Sequence, residues 1–256
     1  MKKKINLATK VAELLIQARF SEPLKEIPKY CRPRNIEEVY AVHDAIVSKL
    51  GPSIGWKVGA ANTEAVPICA PILAGSIHKS PVFLDPKMYA MRGIESEIAF
   101  RFSSALPPKS GPYQESSVLN AIDVAFPAIE ICETRFLDMN IVDNMSKLAD
   151  NISNGALILG SAWNEWRTLQ IEKQQVEMNF DDKVVISHQG GNNAGNITRL
   201  LVWIANHLSD RGIGITQGQV ITTGSWTGLI QSGSAQKITT NFQGIGDVKI
   251  FFNNNF

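Results

Sequence analysis

Cysteine is scarce in this 256-residue chain. Cys31, Cys69 and Cys132 are too few and too scattered for a disulfide framework or a thiolate metal site. An excess of charge is also missing: 25 Lys and Arg stand against 24 Asp and Glu, a net +1. Phosphate binding needs a basic surface, so nucleic acid is not the expected partner. No window approaches the ~18 apolar residues of a membrane-spanning helix, so no membrane partner is expected either. Met1-Lys2-Lys3-Lys4 imitates the basic start of a signal peptide, but Lys10, Glu13 and Arg19 interrupt the apolar run that should follow. Repeats and low-complexity tracts are absent. What remains, 44% hydrophobic and 19% charged, reads as a soluble, cytosolic globular protein with enough chain to bury a core.

The first 50 residues read as helical. Leu7, Val11, Leu14, Leu15 and Ala18 recur at helical spacing across 5–19. After a connector containing Pro23, Pro28 and Pro33, Asn35 followed by Glu38 predicts a capped helix, stopped by Gly51-Pro52. That helix buries Val39, Val42, Ile46 and Leu50, and its His43 is expected at the surface or partly packed. From Gly55 onward, short apolar runs separated by Gly, Pro, Asn and Ser predict strands. VEMNF and KVVISH, joined by Asp181-Asp182, read as a hairpin, although Asp-Asp is a weaker turn signal than Asp-Gly. KITTNF and DVKIFF read as a second. Helices are expected at 116–123, 144–151 and 196–210, the last capped by Asn196 and burying Leu200, Leu201, Ile204 and Leu208. The fold class is α+β: a helical N-terminal lobe over 1–54 and a strand-rich body over 55–256, forming one continuous structural domain.

The segment Gly93-Ile-Glu95-Ser-Glu97-Ile-Ala-Phe100 carries the first chemical signal. Side chains alternate along a strand, so Glu95, Glu97 and Ala99 share one face, and Ile94, Ile98 and Phe100 the other. Neighbouring carboxylates repel unless a cation sits between them, and a solvated strand face is the plain alternative. In Phe126-Pro-Ala-Ile-Glu130-Ile-Cys-Glu133, Glu130 stands inside an apolar run, where an acid is costly unless paired or metal-bound. Three carboxylates converging from two strands make an oxygen site suited to Mg²⁺ or Mn²⁺. Lys57, inside Gly55-Trp-Lys-Val-Gly59, is rarely found buried without a partner, and those acids would supply one. The loops Asp150-Asn151-Ile-Ser153 and Gly224-Ser225-Trp-Thr227-Gly228 offer small polar groups for an anionic substrate.

In this order, GWKVG (55–59), GIESEIAF (93–100), FPAIEICETRF (126–136), LADNISNGALILG (148–160), VWIANHL (202–208), GQVITTGSWTG (218–228) and FQGIGDVKIFF (242–252) resemble the 2-keto-4-pentenoate hydratase / 4-oxalocrotonate decarboxylase family of the fumarylacetoacetate hydrolase superfamily. The resemblance spans nearly the whole chain. It implies a mixed β-roll body flanked by helices, and a homo-oligomer, a pentamer or decamer. It also implies a metal site at Glu95, Glu97 and Glu130 for Mg²⁺ or Mn²⁺, with Lys57, Asp150 and Ser153 catalytic. Asn151, Ser225 and Thr227 would bind substrate, and His78 is a further candidate for the pocket. The implied reaction is hydration of 2-hydroxypenta-2,4-dienoate to 4-hydroxy-2-oxopentanoate through a metal-chelated enolate, with Lys57 stabilising charge or relaying a proton.

The sequence departs from the family in two loops. Cys69 stands near an expected acid and Pro71 in place of a glycine, and Gly195-Asn196-Ile197 replaces a Gly-His-Pro turn. A thiol does not replace a carboxylate as general base without a much perturbed pKa, so Cys69 reads as a small packed thiol and the hydration step is in question. The alternative activities are decarboxylation of 2-oxo-3-hexenedioate (4-oxalocrotonate) and cleavage of an acylpyruvate. The third reading is an inactive ligand-binding relative. A decarboxylase must hold a second carboxylate, and Arg101, Arg135 and Lys79 are the candidate cations.

Overall fold

The computed structural model describes residues 7–253. Helices α1 (Leu7–Ala18) and α2 (Ile36–Leu50) pack through Val11, Ala12 and Leu15 on one side and Val39, Val42 and Ile46 on the other. Residues 5 and 6 of the expected first helix lie outside the described residues. The cap on α2 is as expected: the Asn35 side chain accepts the Glu38 amide at 2.9 Å, and the Gly51 N–H closes the last turn onto Val47. Three more helices follow, the short α3 (Glu115–Asn120) and α4 (Asn144–Ala149) and the longer α5 (Ile197–Asp210). Asn196 caps α5 by accepting the Thr198 amide, and its buried stripe includes Leu200, Leu201, Ile204 and Leu208.

The strands are β1 (Gly55–Gly59), β2 (Ile68–Ile72), β3 (Ile77–Lys79), β4 (Val82–Leu84), β5 (Gly93–Phe102), β6 (Ile122–Cys132), β7 (Asn154–Leu159), β8 (Gln175–Phe180), β9 (Lys183–Gln189), β10 (Val220–Thr222), β11 (Ile230–Gln231), β12 (Lys237–Phe242) and β13 (Gly246–Phe252). They form two sheets. The larger runs β2-β1-β10-β5-β6-β7-β3, with β11 beside β5; the smaller runs β4-β13-β12-β8-β9. Both expected hairpins are present. Asp181 and Asp182 have φ of 48° and 64°, so a pair of aspartates adopts the left-handed turn that Asn-Gly usually supplies.

Each face of the large sheet has its own task. Ile94, Ile129, Ile131 and Ile158 pack against Met178, Ile238, Val248 and Ile250 of the small sheet, while Ile98 and Phe100 join Leu200, Leu201, Ile204 and Leu208 of α5 in a neighbouring core. The opposite face carries Glu95, Glu97 and Glu130 above an apolar floor of Ile72, Ala99, Ala128, Leu157 and Val220. That face is concave. In a flat sheet, β1 and β6 would stand three spacings apart, roughly 14 Å. Yet a lysine on β1 and a glutamate on β6 meet directly, which requires the sheet to curl into a roll. The mixed α+β roll read from the sequence is the observed fold.

The segment 68–72, expected as a loop, is instead β2, an edge strand pairing antiparallel with β1. Pro71 is tolerated there because an edge position needs no further amide donor.

His43 corrects an expectation: it is buried at 1% exposure, donating Nε2–H to the Leu148 carbonyl at 2.9 Å. Burial lowers its pKa to about 4; burial and Arg211 lower that of His207 to about 4. Both rings are neutral when folded and protonate in the unfolded chain below the ordinary value near 6.5, so folding stability falls as pH drops from there toward 4. The His43 share is about 2 kcal/mol between pH 7 and 4.5. Urea unfolding of His43→Gln, which keeps a donor for Leu148, is expected to lose that much of the wild-type pH dependence; an unchanged slope would refute the assignment.

Candidate active site

Alternation on β5 and β6 brings the acids together. Glu95 lies directly opposite Glu130 in the antiparallel register, and Glu97 stands two residues further along the same face. Lys57 reaches them from β1: its Nζ donates to Glu130 Oε1 at 2.6 Å and to the Ile152 carbonyl at 3.0 Å. Glu130 is completely buried, its Oε1 also accepting Asn154 Nδ2 at 2.9 Å. Glu97, nearly as buried, accepts the Thr222 hydroxyl and the Gly224 amide.

The electrostatics follow from dryness and like charge. Burial, then Glu130 and Glu95, push the Glu97 carboxyl well above the ordinary carboxylate range. Burial raises Glu130 too, against the opposing pull of Lys57. For Lys57, burial works against the charged form, but the surrounding negative groups, Glu130 foremost, outweigh it and raise its pKa. Its proton therefore stays on nitrogen, which makes it an ammonium facing the acids rather than a base.

The residues fit a divalent cation. Glu130 Oε2 is buried without any hydrogen-bond partner, which is costly unless something else satisfies it. Three carboxyl groups converge beside a single ammonium, a surplus of oxygen donors of the kind a divalent cation uses. Carboxylate oxygens of Glu95 and Glu130 and the Cys132 sulfur lie within 4.8 Å of one another. All three cysteines are free, and Cys132 stands among carboxylates rather than other thiols. Two residues along β6 from Glu130, it shares that face and donates to Glu95 Oε2 at 3.3 Å.

A cavity of about 580 Å³ opens beside these groups. Lys57, Glu95 and Glu97 form its charged end, Asn192, Asn193, Thr223 and Ser225 a polar wall, and Ala60, Ala61, Ala65, Val66, Ile68 and Leu229 an apolar one. Asn192 is fully engaged, donating to the Thr223 carbonyl at 3.0 Å and accepting the Ala194 amide. The sequence reading missed Asn192, Asn193 and Thr222; the only signal for the first two was a polar pair following Gly190-Gly191.

Several expected site residues are placed elsewhere. Asp150 does not line the cavity: at 1% exposure it is paired with Arg135 Nε and accepts the Arg135 amide at 2.9 Å and the Thr134 hydroxyl at 3.1 Å. That pair also removes Arg135 as a cation for substrate. Arg101 is paired with Asp123 at an exposed position, and Lys79 and His78 lie on β3 at the far edge of the sheet. Thr227 is spent internally, accepting the Ser96 amide at 3.0 Å and donating to the Gly228 carbonyl. Cys69 faces away from the cavity at 0% exposure, its thiol pushed by burial up to about 12; the neighbouring Ile68 faces inward. The thiol is therefore packing.

The loop after α4 holds the unusual backbone. Asn151, Ile152 and Ser153 have φ of 50°, 51° and 57°, a left-handed run that costs on the order of 1 kcal/mol or more per residue. Asn151 Nδ2, donating to the Pro71 carbonyl at 3.0 Å, and the Arg135–Asp150 pair hold its start, and Arg135 Nη1, donating to the Asn154 carbonyl, holds its end. The result aims the Ile152 carbonyl at Lys57. Asn151 thus acts on the loop, and Ser153 contributes through its backbone, donating N–H to Asp150 and accepting the Glu133 amide at 2.8 Å.

No protein-family model matches the chain. In sequence it is 28% identical over 162 residues to the 2-keto-4-pentenoate hydratase of Paraburkholderia xenovorans and 29% identical over 160 residues to the 4-oxalocrotonate decarboxylase of Pseudomonas putida. Those matches cover 63% and 62% of this chain, which spans 59% of the length of these curated relatives. In structure it is similar to a 4-oxalocrotonate decarboxylase from Pseudomonas putida G7 complexed with magnesium and adipate, with a TM-score of 0.83 at 22% identity over 96% of this chain and 97% of that one.

Breaking the loop clamp tests its role. Asp150→Asn leaves Arg135 buried without its counter-charge and is expected to cost about 3–5 kcal/mol in urea unfolding. Ser153→Ala, which removes only a hydroxyl, is expected to cost less than about 1 kcal/mol. An Asp150→Asn protein of wild-type stability would contradict the clamp.

Proposed function

We propose that this chain, a relative of the 2-keto-4-pentenoate hydratases and 4-oxalocrotonate decarboxylases, is a divalent-metal-dependent lyase that hydrates a 2-hydroxy-2,4-dienoate to a 4-hydroxy-2-oxo acid. Glu95, Glu97 and Glu130 would hold Mg²⁺ or Mn²⁺. When bound, the ion supplies Lewis acidity toward the carboxylate and 2-oxygen of the substrate. Lys57 contributes a fixed positive charge where the enolate oxygen develops negative charge, held in line by the Ile152 carbonyl. Ser225 Oγ accepts the Thr227 amide at 3.3 Å, which leaves its proton to donate to the substrate, and Asn193 lies on the same wall. The apolar wall gives the diene an uncharged surface to lie against.

One observation carries the choice of reaction. Among the described residues, Lys57 is the single cation lining the cavity; one wall is uncharged and polar, and the other is alanine, valine, isoleucine and leucine. A dicarboxylate such as 4-oxalocrotonate would find no counter-charge there for its second carboxylate. A monocarboxylate with an apolar tail, 2-hydroxypenta-2,4-dienoate or an alkylated homologue, leaves nothing unsatisfied. Hydration is therefore preferred over decarboxylation.

Decay of dienoate absorbance measures this directly. With Mg²⁺, the protein is expected to turn over 2-hydroxypenta-2,4-dienoate and its hexadienoate homologue; EDTA, or Glu130→Gln, is expected to slow it by about a hundredfold or more. Ile68→Lys, which places a cation on the apolar wall, is expected to shift preference severalfold toward the dicarboxylate. Faster carbon dioxide release from 4-oxalocrotonate than hydration of the monoacids, in the unaltered protein, would overturn the assignment.

A further inference from the structure

We propose that Cys132 is a ligand of the metal centre, so that Glu95, Glu130 and the Cys132 sulfur together bind a thiophilic divalent cation such as Zn²⁺ or Co²⁺. The inference rests on the reading of the acids as a metal site and adds a ligand and an ion preference that carboxylates alone would not give.

Three observations support it. Strand alternation places the Cys132 sulfur on the face that carries Glu130, and its donor atom lies within 4.8 Å of those of both Glu95 and Glu130. Glu130 Oε2, at the same point, is wholly buried and unpartnered, so the cluster holds an oxygen directed at no protein donor. The room for the sulfur is kept by a glycine. Gly93 pairs with Cys132 across the β5–β6 ladder, and a Cβ there would stand 3.2 Å from both the Cys132 Cβ and the Leu229 methyls. The other two thiols are different in kind: Cys31 donates to the Pro28 carbonyl and Cys69 packs in the core away from any acid cluster.

The chemistry separates two kinds of ion. Mg²⁺ takes hard oxygen donors and leaves the thiol protonated, hydrogen-bonded to Glu95. Zn²⁺ and Co²⁺ bind thiolate strongly, and ligation breaks the S–H bond, forms an S–metal bond and releases the proton to solvent with no change in oxidation state. The site would thus bind Mg²⁺ through carboxylates alone and Zn²⁺ or Co²⁺ through carboxylates plus sulfur.

The experiment compares the chelator-treated full chain with Cys132→Ser and Cys132→Val, measuring bound metal by equilibrium dialysis and folding by circular dichroism. One equivalent of Co²⁺ is expected to give a near-ultraviolet sulfur-to-cobalt charge-transfer band in the wild type. That band should be absent from both variants although each still takes up Co²⁺. Zn²⁺ affinity is expected to fall by about tenfold or more in both variants, and Mg²⁺ affinity to change by less than about threefold. Stoichiometric Co²⁺ uptake by the wild type without the band, or equal Zn²⁺ affinity in all three proteins, overturns the role of Cys132 and leaves the carboxylate site standing. Failure of the wild type to bind any of the three ions overturns both. If Cys132→Val fails to fold, the wild-type and Cys132→Ser spectra still decide the question.

Discussion

Glu95, Glu97 and Glu130 gather three carboxyl groups at one point, two of them buried, and Lys57 sets one positive charge beside them. Such a cluster is unfavourable on its own, since desolvation and mutual repulsion both act against it. Much of the surrounding structure serves to make it tolerable. Asn154, Thr222 and the Gly224 amide each donate a hydrogen bond to a carboxylate. The small residues Ala99 and Ala128 leave space below the acids while closing the floor to solvent. The roll itself is part of the arrangement, because a flat sheet would hold Lys57 too far from Glu130 to pair with it.

The second constraint is the strained turn at 151–153. Three successive non-glycine residues in the left-handed region persist only when their surroundings overdetermine them. Here those surroundings are the buried Arg135–Asp150 pair and the amide of Asn151 on the edge strand β2. Arg135 also donates to the Asn154 carbonyl at 2.9 Å, so one guanidinium spans the turn from start to end. A buried pair of this sort adds little net stability against apolar residues of similar volume, but it fixes a unique backbone path.

How much of this was legible in the sequence depended on whether the signal was local. The phase of Glu95 and Glu97 follows from two-residue alternation, and the caps at Asn35 and Asn196 from three-residue spacing; both were readable without knowing any partner. Asp150, Thr227 and Arg135 were not. Each has the chemistry of a site residue, and which of them is free is decided by pairings over 15 to 131 positions. Cys69 shows the same limit at the scale of one residue: because 68–72 is a strand rather than a loop, Ile68 and not Cys69 faces the cavity. The fold was legible through repeated alternation and ordered motifs, whereas His43 was not, since an exposed and a buried histidine look alike in a helical pattern.

At position 152 the backbone and the side chain serve different ends. The carbonyl anchors the ammonium of Lys57, while the isoleucine side chain forms part of the cavity wall. A main-chain oxygen is supplied by whichever amino acid occupies the site, so exchanges at 152 can reshape the wall while the oxygen that steadies the lysine is inherited unchanged. The molecule can therefore drift in what it accommodates without first giving up what it does, provided the newcomer accepts the left-handed turn.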